Sequence, residues 1–224
     1  MEREARFEQA DKKLDDVCLE IAKFKKPFLR KLNEFPSIEK YSENANELFF
    51  VGGHLGGLVS GYLTFFEKWL RDGKSLKFLL QNPANEGLKH LVMPCYGYDY
   101  AAYKSQIETA LERLHKLKLE HEARLATKGV AQITADQPFT DKYKRGSIDI
   151  KIYDMSPTQT LAILDGNIGG TTAYIGLHIP YGDAVTRPYI ILNKREHEEP
   201  FNLFYSRYYI ELWDDSETYK PSMS

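Results

Sequence analysis

Residues 48–83 read LFFVGGHLGGLVSGYLTFFEKWLRDGKSLKFLLQNP. Leu48 to Val51 is a short run without a polar residue, which predicts a strand buried on both faces. The glycines at 52, 53, 56 and 57 turn the chain, and the apolar spacing from about Leu58 to Arg71 is that of a helix. Asp72-Gly73 ends the helix, Leu76 to Leu80 reads as a second strand, and Asn82-Pro83 closes that strand. Strand, helix and strand joined by loops this short predict a parallel pair with a right-handed crossover. The class is therefore α/β.

Downstream, Tyr103, Ile107, Leu111, Leu114 and Leu117 share one face of a long helix expected from about Tyr100 to Ala126. Gly129 to Gly146 reads as a polar loop. Ile148, Ile150 and Ile152 alternate with Asp149, Lys151 and Tyr153 as a half-exposed strand, and Leu161 to Leu164 is a buried one. Tyr174 to Ile179 and Tyr189 to Leu192 supply two more. A last helix, about Pro200 to Trp213, turns Phe201, Phe204, Tyr205, Tyr208 and Leu212 inward, and the tail after Glu217 is expected to fray. Six strands flanked by helices predict a mixed-sheet sandwich.

Upstream, Phe7, Ala10, Leu14, Val17, Ile21 and Phe24 repeat in steps of three and four, so Glu2 to Phe24 is expected to be an amphipathic helix that Pro27 ends. Its seam packs either on this chain's own domain or on a second copy or partner helix. Asn33 to Asn46 reads as a connector. The expected division is a helical extension over 1–40 and an α/β domain over 47–217.

The composition limits function. With 224 residues, 42% hydrophobic, 28% charged and a formal net charge of -2, the chain is globular and carries no global basic field for nucleic acid. Lys142, Lys144 and Arg145 form a basic cluster offset by Asp136 and Asp141. No apolar run reaches the roughly 18 residues of a membrane span, and the N-terminus is too charged for a signal peptide, so a soluble cytoplasmic protein is expected. Cys18 and Cys95 form no paired motif, and none of the six histidines stands in HExxH spacing, so neither metal nor cofactor is expected. The nucleophile elbow G-x-S-x-G and the phosphate loop G-x-x-x-x-G-K-[ST] are both missing.

Two stretches carry candidate chemistry. Gly52-Gly53-His54-Leu55-Gly56-Gly57 lies between strand and helix, where free N–H groups hold an anion or where the glycines simply allow close packing; His54 is the side chain placed to face a ligand. The second stretch runs from Asp154 through Thr158, Thr160 and Asp165 to Gly169-Gly170-Thr171. Thr158 and Thr160 point to one side of a strand that Asp165 closes. His178 and Arg187, near other strand ends, complete the candidate ligand-binding set, each with a purely structural reading beside it.

The spacing from Thr158 to Asp165 resembles the phospholipase D superfamily, whose signature is H-x-K-x(4)-D followed by a Gly-Ser pair. Thr158 stands at the histidine position, Thr160 at the lysine position, Asp165 keeps the aspartate, and Gly169-Gly170-Thr171 stands near the glycine and serine. The order of elements from about 47 to 214 follows the family as well. The resemblance implies a phospholipase D-like mixed sheet flanked by helices. Members attack phosphorus with the histidine and hold phosphoryl charge with lysines, roles that threonine hydroxyls cannot take, so phosphodiesterase activity is not expected.

The leading expectation is a non-catalytic phospholipase D-like module for ligand sensing or dimerisation and scaffolding. It would be a homodimer, take a small anionic or nucleotide ligand, and need neither membrane nor nucleic acid. The alternative is an enzyme acting on a phosphorylated or nucleoside-like substrate, with His54, His178 and Asp165 meeting in one cleft. A purely structural protein built on the seam and the aromatic last helix is a third reading.

Overall fold

The computed structural model of the chain describes residues 29–31, 37–90, 92, 99–133, 146–155, 159–177 and 188–221. In chain order the elements are β1 (Leu29–Lys31), α1 (Ile38–Tyr41), β2 (Glu47–Gly52), α2 (Gly56–Arg71), β3 (Ser75–Gln81), α3 (Tyr100–Ile133), β4 (Ile148–Tyr153), β5 (Gln159–Leu164), β6 (Thr172–Leu177), β7 (Pro188–Asn193) and α4 (Glu198–Phe204). A π-helical stretch (Tyr205–Leu212) and a last turn (Trp213–Asp215) continue α4 as one C-terminal helix, and β8 (Glu217–Thr218) follows. The Glu2 to Phe24 seam and the basic cluster of Lys142, Lys144 and Arg145 lie outside the described residues.

The eight strands form one mixed sheet in the order β1-β7-β6-β5-β2-β3-β4-β8. β2, β3 and β4 are parallel, as the β2–α2–β3 reading predicts, and the other pairings are antiparallel. β2 is buried along its whole length because helices cover both faces. On one face Phe50 and Phe78 stack, Phe66 of α2 meets both rings, and Ile107, Leu111 and Leu114 of α3 complete the layer. On the other, Phe49, Val51, Leu161, Ile163 and Ile175 pack against Phe201 and Tyr209 of the C-terminal helix. Alternation along each strand thus feeds two cores.

Three expectations need correction. α3 runs on through Gly129 to Ile133, because one glycine costs a helix only about 1 kcal/mol while each added residue gains a hydrogen bond. The connector before β2 contains α1, with Ile38 buried. The tail after Glu217 does not fray at once: β4 would otherwise leave a backbone edge unpaired, and β8 covers part of it at Lys151 and Ile152 while Tyr219 N–H donates to Ile150 O at 3.0 Å.

One polar group lies deep between sheet and C-terminal helix. The Glu47 side chain is 3% exposed. Its Oε1 accepts from Tyr209 OH at 2.7 Å and from Asn167 N–H at 3.0 Å, and its Oε2 faces Lys77 Nζ at 3.7 Å. Lys77 Nζ also donates to Tyr209 OH at 2.8 Å. Burial, then the hydrogen bond to Glu47 and its charge, push the Tyr209 phenol well above its ordinary range. Burial, with Tyr174 next, does the same to Tyr41.

Tyr209→Phe is expected to cost about 1–3 kcal/mol by removing a donor from a buried carboxylate, read as a lowered urea midpoint at unchanged slope. For both phenols the folded state favours the protonated form. Their stabilisation is therefore whole below about pH 10, the unfolded-chain value, and declines as pH rises toward the folded-state values. Urea midpoints measured from pH 8 to 11.5 are expected to fall only in the upper part of that range, and less steeply in the Tyr209→Phe variant.

Candidate functional site

The C-terminal ends of β2, β3 and β4 share one edge of the sheet, the edge at which open α/β sheets hold ligands. The antiparallel ladder brings the start of β5, the end of β6 and the start of β7 to that same edge, since Leu161 pairs with Val51, Gly176 with Thr160, and Tyr189 with Gly176. His54 and Thr160 both sit there.

His54 belongs to the turn that leads into α2. Its Nδ1 accepts from Gly56 N–H at 3.0 Å, so in the neutral ring the proton sits on Nε2. The ring stands edge-on to Tyr103, with centroids 5.5 Å apart at 90°. Leu55, next in the turn, adopts φ 49 and ψ 15, a left-handed conformation that costs a non-glycine residue roughly 1–2 kcal/mol. Gln81, at the end of β3 and fully buried, fixes the surroundings. Its N–H donates to Gly53 O at 3.0 Å, its Nε2 donates to Met155 O at 3.1 Å, and its Oε1 accepts from Tyr103 OH at 2.8 Å. One residue, through its backbone N–H and its side chain, thus links the loops after β2 and β4 to α3.

Thr160 lies between two glycines, Gly52 on β2 and Gly176 on β6. A Cβ on Gly52 would stand 2.5 Å from Leu55 Cδ2, and one on Gly176 would stand 2.5 Å from Thr160 Oγ1 and 2.8 Å from the Tyr189 ring. The threonine is therefore closely packed on both sides. Its Oγ1 is buried and finds no hydrogen-bond partner among the described residues.

Asp165 is elsewhere. Leu164 pairs with Leu48, so Asp165 lies beside Glu47 at the opposite edge, and the length of β2, roughly 15–20 Å at about 3.3 Å per residue, separates it from His54. At φ 54 and 6% exposed, Asp165 accepts on Oδ1 from Asn46 N–H at 2.6 Å and from Glu47 N–H at 3.1 Å, and its own N–H donates to Glu47 O at 2.9 Å. It clamps the turn after β5 to the start of β2. The constellation expected of His54, His178 and Asp165 thus fails at its first pair: His54 and Asp165 do not share a cleft. Thr158, His178 and Arg187 lie outside the described residues.

Gln81 is not among the expected site residues, and Tyr103 is expected on the inner face of the long helix, where it lies, but not as a partner of Gln81. Gln81 carries a signal in retrospect, a polar residue ending an otherwise apolar run, but its partners come from loops that no local pattern connects. Among the described residues no three His, Cys, Asp or Glu side chains are grouped to hold a metal ion, and no helix is long and apolar enough to cross a membrane.

No family model and no curated protein matches this chain. Among solved structures it is similar to TrmBL2, described as an archaeal chromatin protein with a novel mode of DNA binding, at 14% identity and a TM-score of 0.43. The alignment covers 97% of this chain and 66% of that one, so this chain spans less than two thirds of its neighbour's length. A likeness this distant carries no argument about either fold or function.

The packing around Thr160 gives a direct test. Gly176→Ala is expected to destabilise the chain by about 1–3 kcal/mol through overpacking against Thr160 and Tyr189, and a second change, Thr160→Ser, does not relieve it because the hydroxyl remains. Urea melts of both variants check this.

Proposed function

We propose that the chain is a non-catalytic ligand-binding module, phospholipase D-like in its arrangement, that senses a small polar ligand at the C-terminal edge of its sheet and works as a homodimer in the cytoplasm. The observation that carries the reading is the hydroxyl of Thr160, which is buried without a hydrogen-bond partner among the described residues. It stands at the position where the resemblance would place a phosphoryl-holding lysine.

The chemistry at this edge supports binding rather than turnover. A threonine hydroxyl without a base is a weak nucleophile and brings no positive charge to a phosphoryl transition state. Gly52, Leu55, Gly176 and the Tyr189 ring crowd it, none of them charged, so the hydroxyl itself is the group a ligand would meet by hydrogen bonding. A buried hydroxyl left unpaired costs about 1–3 kcal/mol, and a ligand oxygen or N–H brought to it recovers that cost only in the bound state. Entry requires the Tyr189 ring to shift, since ring and hydroxyl crowd the same point above Gly176.

The test is a thermal-shift screen of the full chain against nucleoside phosphates, with Thr160→Val in parallel. The variant alone is expected to melt higher, by about 2–4 °C per kcal/mol regained, because valine fills the same volume without a hydroxyl. The wild-type chain is expected to gain stability from at least one ligand, and the variant to lose that gain. Cleavage of bis(p-nitrophenyl) phosphate by the purified protein would refute the non-catalytic reading, and a monomeric mass by light scattering would refute the dimer. A screen in which wild type and variant respond alike removes the role given to Thr160.

A further inference from the structure

Between α2 and α3 runs a groove of about 290 Å³, close to the lower limit of small-molecule sites. Polar side chains line part of it, Ser60 from α2 and Ser105, Gln106 and Thr109 from α3, beside Gly56, Gly57 and Ala110, and Arg113 is the one charged residue in it. Resting on the reading of the chain as a ligand-binding module, we propose that this groove is an anion-recognition subsite, with Arg113 reading a phosphate or carboxylate group of the ligand and the hydroxyls of Ser60, Ser105 and Thr109 reading its polar remainder.

The position of Arg113 carries the argument. Several helical and turn cations pair with a carboxylate one turn away: Lys68 with Asp72 at 2.7 Å, Arg71 with Glu67 at 2.8 Å, Lys89 with Glu86 at 2.6 Å, and Arg207 with Glu211. Arg113 has Thr109 and Leu117 at the corresponding positions of α3. Among the described residues it pairs with no carboxylate, and its guanidinium reaches across the groove to Ser60 Oγ instead. The neighbouring acids project elsewhere. Glu112 and Glu108 lie on the flank of α3 that faces Tyr219, whose phenol is raised first by burial and then by those two charges. Glu108 is also within 3.9 Å of Lys104.

The groove therefore holds an uncompensated guanidinium among neutral donors. A planar fork of N–H groups matches the two oxygens of a phosphate or carboxylate, and a hydroxyl is a weaker partner that an anion displaces. Ser60, Ser105, Thr109 and Arg113 are exposed, so no core residue moves when a ligand enters.

The experiment is an amide NMR titration of the full chain at constant ionic strength with inorganic phosphate, with acetate, and with chloride as the screening control. Phosphate or acetate is expected to shift the amides of Ser60, Ser105 and Thr109 saturably, and whichever binds more tightly identifies the anion class. Arg113→Gln is expected to weaken that binding at least about tenfold, with Arg113→Lys intermediate because it keeps charge and loses the fork. Both variants change an exposed side chain, and their far-UV spectra verify the fold. The proposal is overturned if neither anion gives saturable shifts beyond those of chloride, or if Arg113→Gln titrates like the wild type. Failure here with a nucleoside phosphate still stabilising the chain through Thr160 removes the groove alone. A chain that no ligand stabilises removes the module reading as well.

Discussion

The antiparallel ladder between β2 and β5, which pairs Leu48 with Leu164 and Val51 with Leu161, decides what this molecule brings together. β2 lies at the boundary between the parallel and antiparallel halves of the sheet. Its β3 side runs parallel, so the turns after β2, β3 and β4 leave from one edge. Its β5 side runs antiparallel, so Thr160 joins those turns and Asp165 is carried to the far edge. No side-chain preference could reverse that assignment, because a strand of one direction has one pair of ends.

The two edges have been settled very differently. At the Asp165 edge every prominent polar group is satisfied. Asp165 caps the start of β2, Glu47 takes hydrogen bonds from Tyr209 and Asn167, and Lys77 closes the group against the Tyr209 and Trp213 rings at 4.5 and 5.2 Å. The π-helical stretch serves this arrangement. It carries Tyr205 and Tyr209 as stacked rings 5.1 Å apart, and Tyr205 donates to Gly166 O while Tyr209 donates to Glu47. The inner core alone would let the C-terminal helix slide; the polar contacts fix its register.

Much of the fold was legible in the residues. Apolar runs such as Leu48 to Val51 and the alternation of Ile148, Ile150 and Ile152 are set by burial on two faces or one, and burial acts locally along a strand. The six strands read from such patterns are β2 to β7, and β1 and β8 join them at the two edges of the sheet. What escaped the reading has a common cause in contacts between distant segments. β8 is only two residues long and exists because β4 offers it an edge. Asp165 looks chemically poised in a Leu-Asp-Gly turn, and only the ladder to β2 shows that its carboxylate is spent on backbone N–H groups. Gln81 reads as the end of a strand until Tyr103 and Met155 are brought to it.

The opposite edge holds what the fold leaves unsettled. Leu55 is held in a left-handed conformation that a glycine would adopt without strain, although glycines stand at 52, 53, 56 and 57 around it. Leu55 Cδ2 fills the space above Gly52, so the strained backbone buries an apolar side chain beside Thr160. Thr160 in turn keeps a hydroxyl where valine would pack equally well. Valine would relieve the second cost, whereas glycine at 55 would exchange a strain of about 1–2 kcal/mol for the loss of a buried leucine, roughly 2–5 kcal/mol. The far edge holds a left-handed residue as well, Asp165 at φ 54, but its carboxylate is spent on two backbone N–H groups, so the two ends differ in bonding rather than in strain: among the described residues the Thr160 hydroxyl is left without a partner at this end.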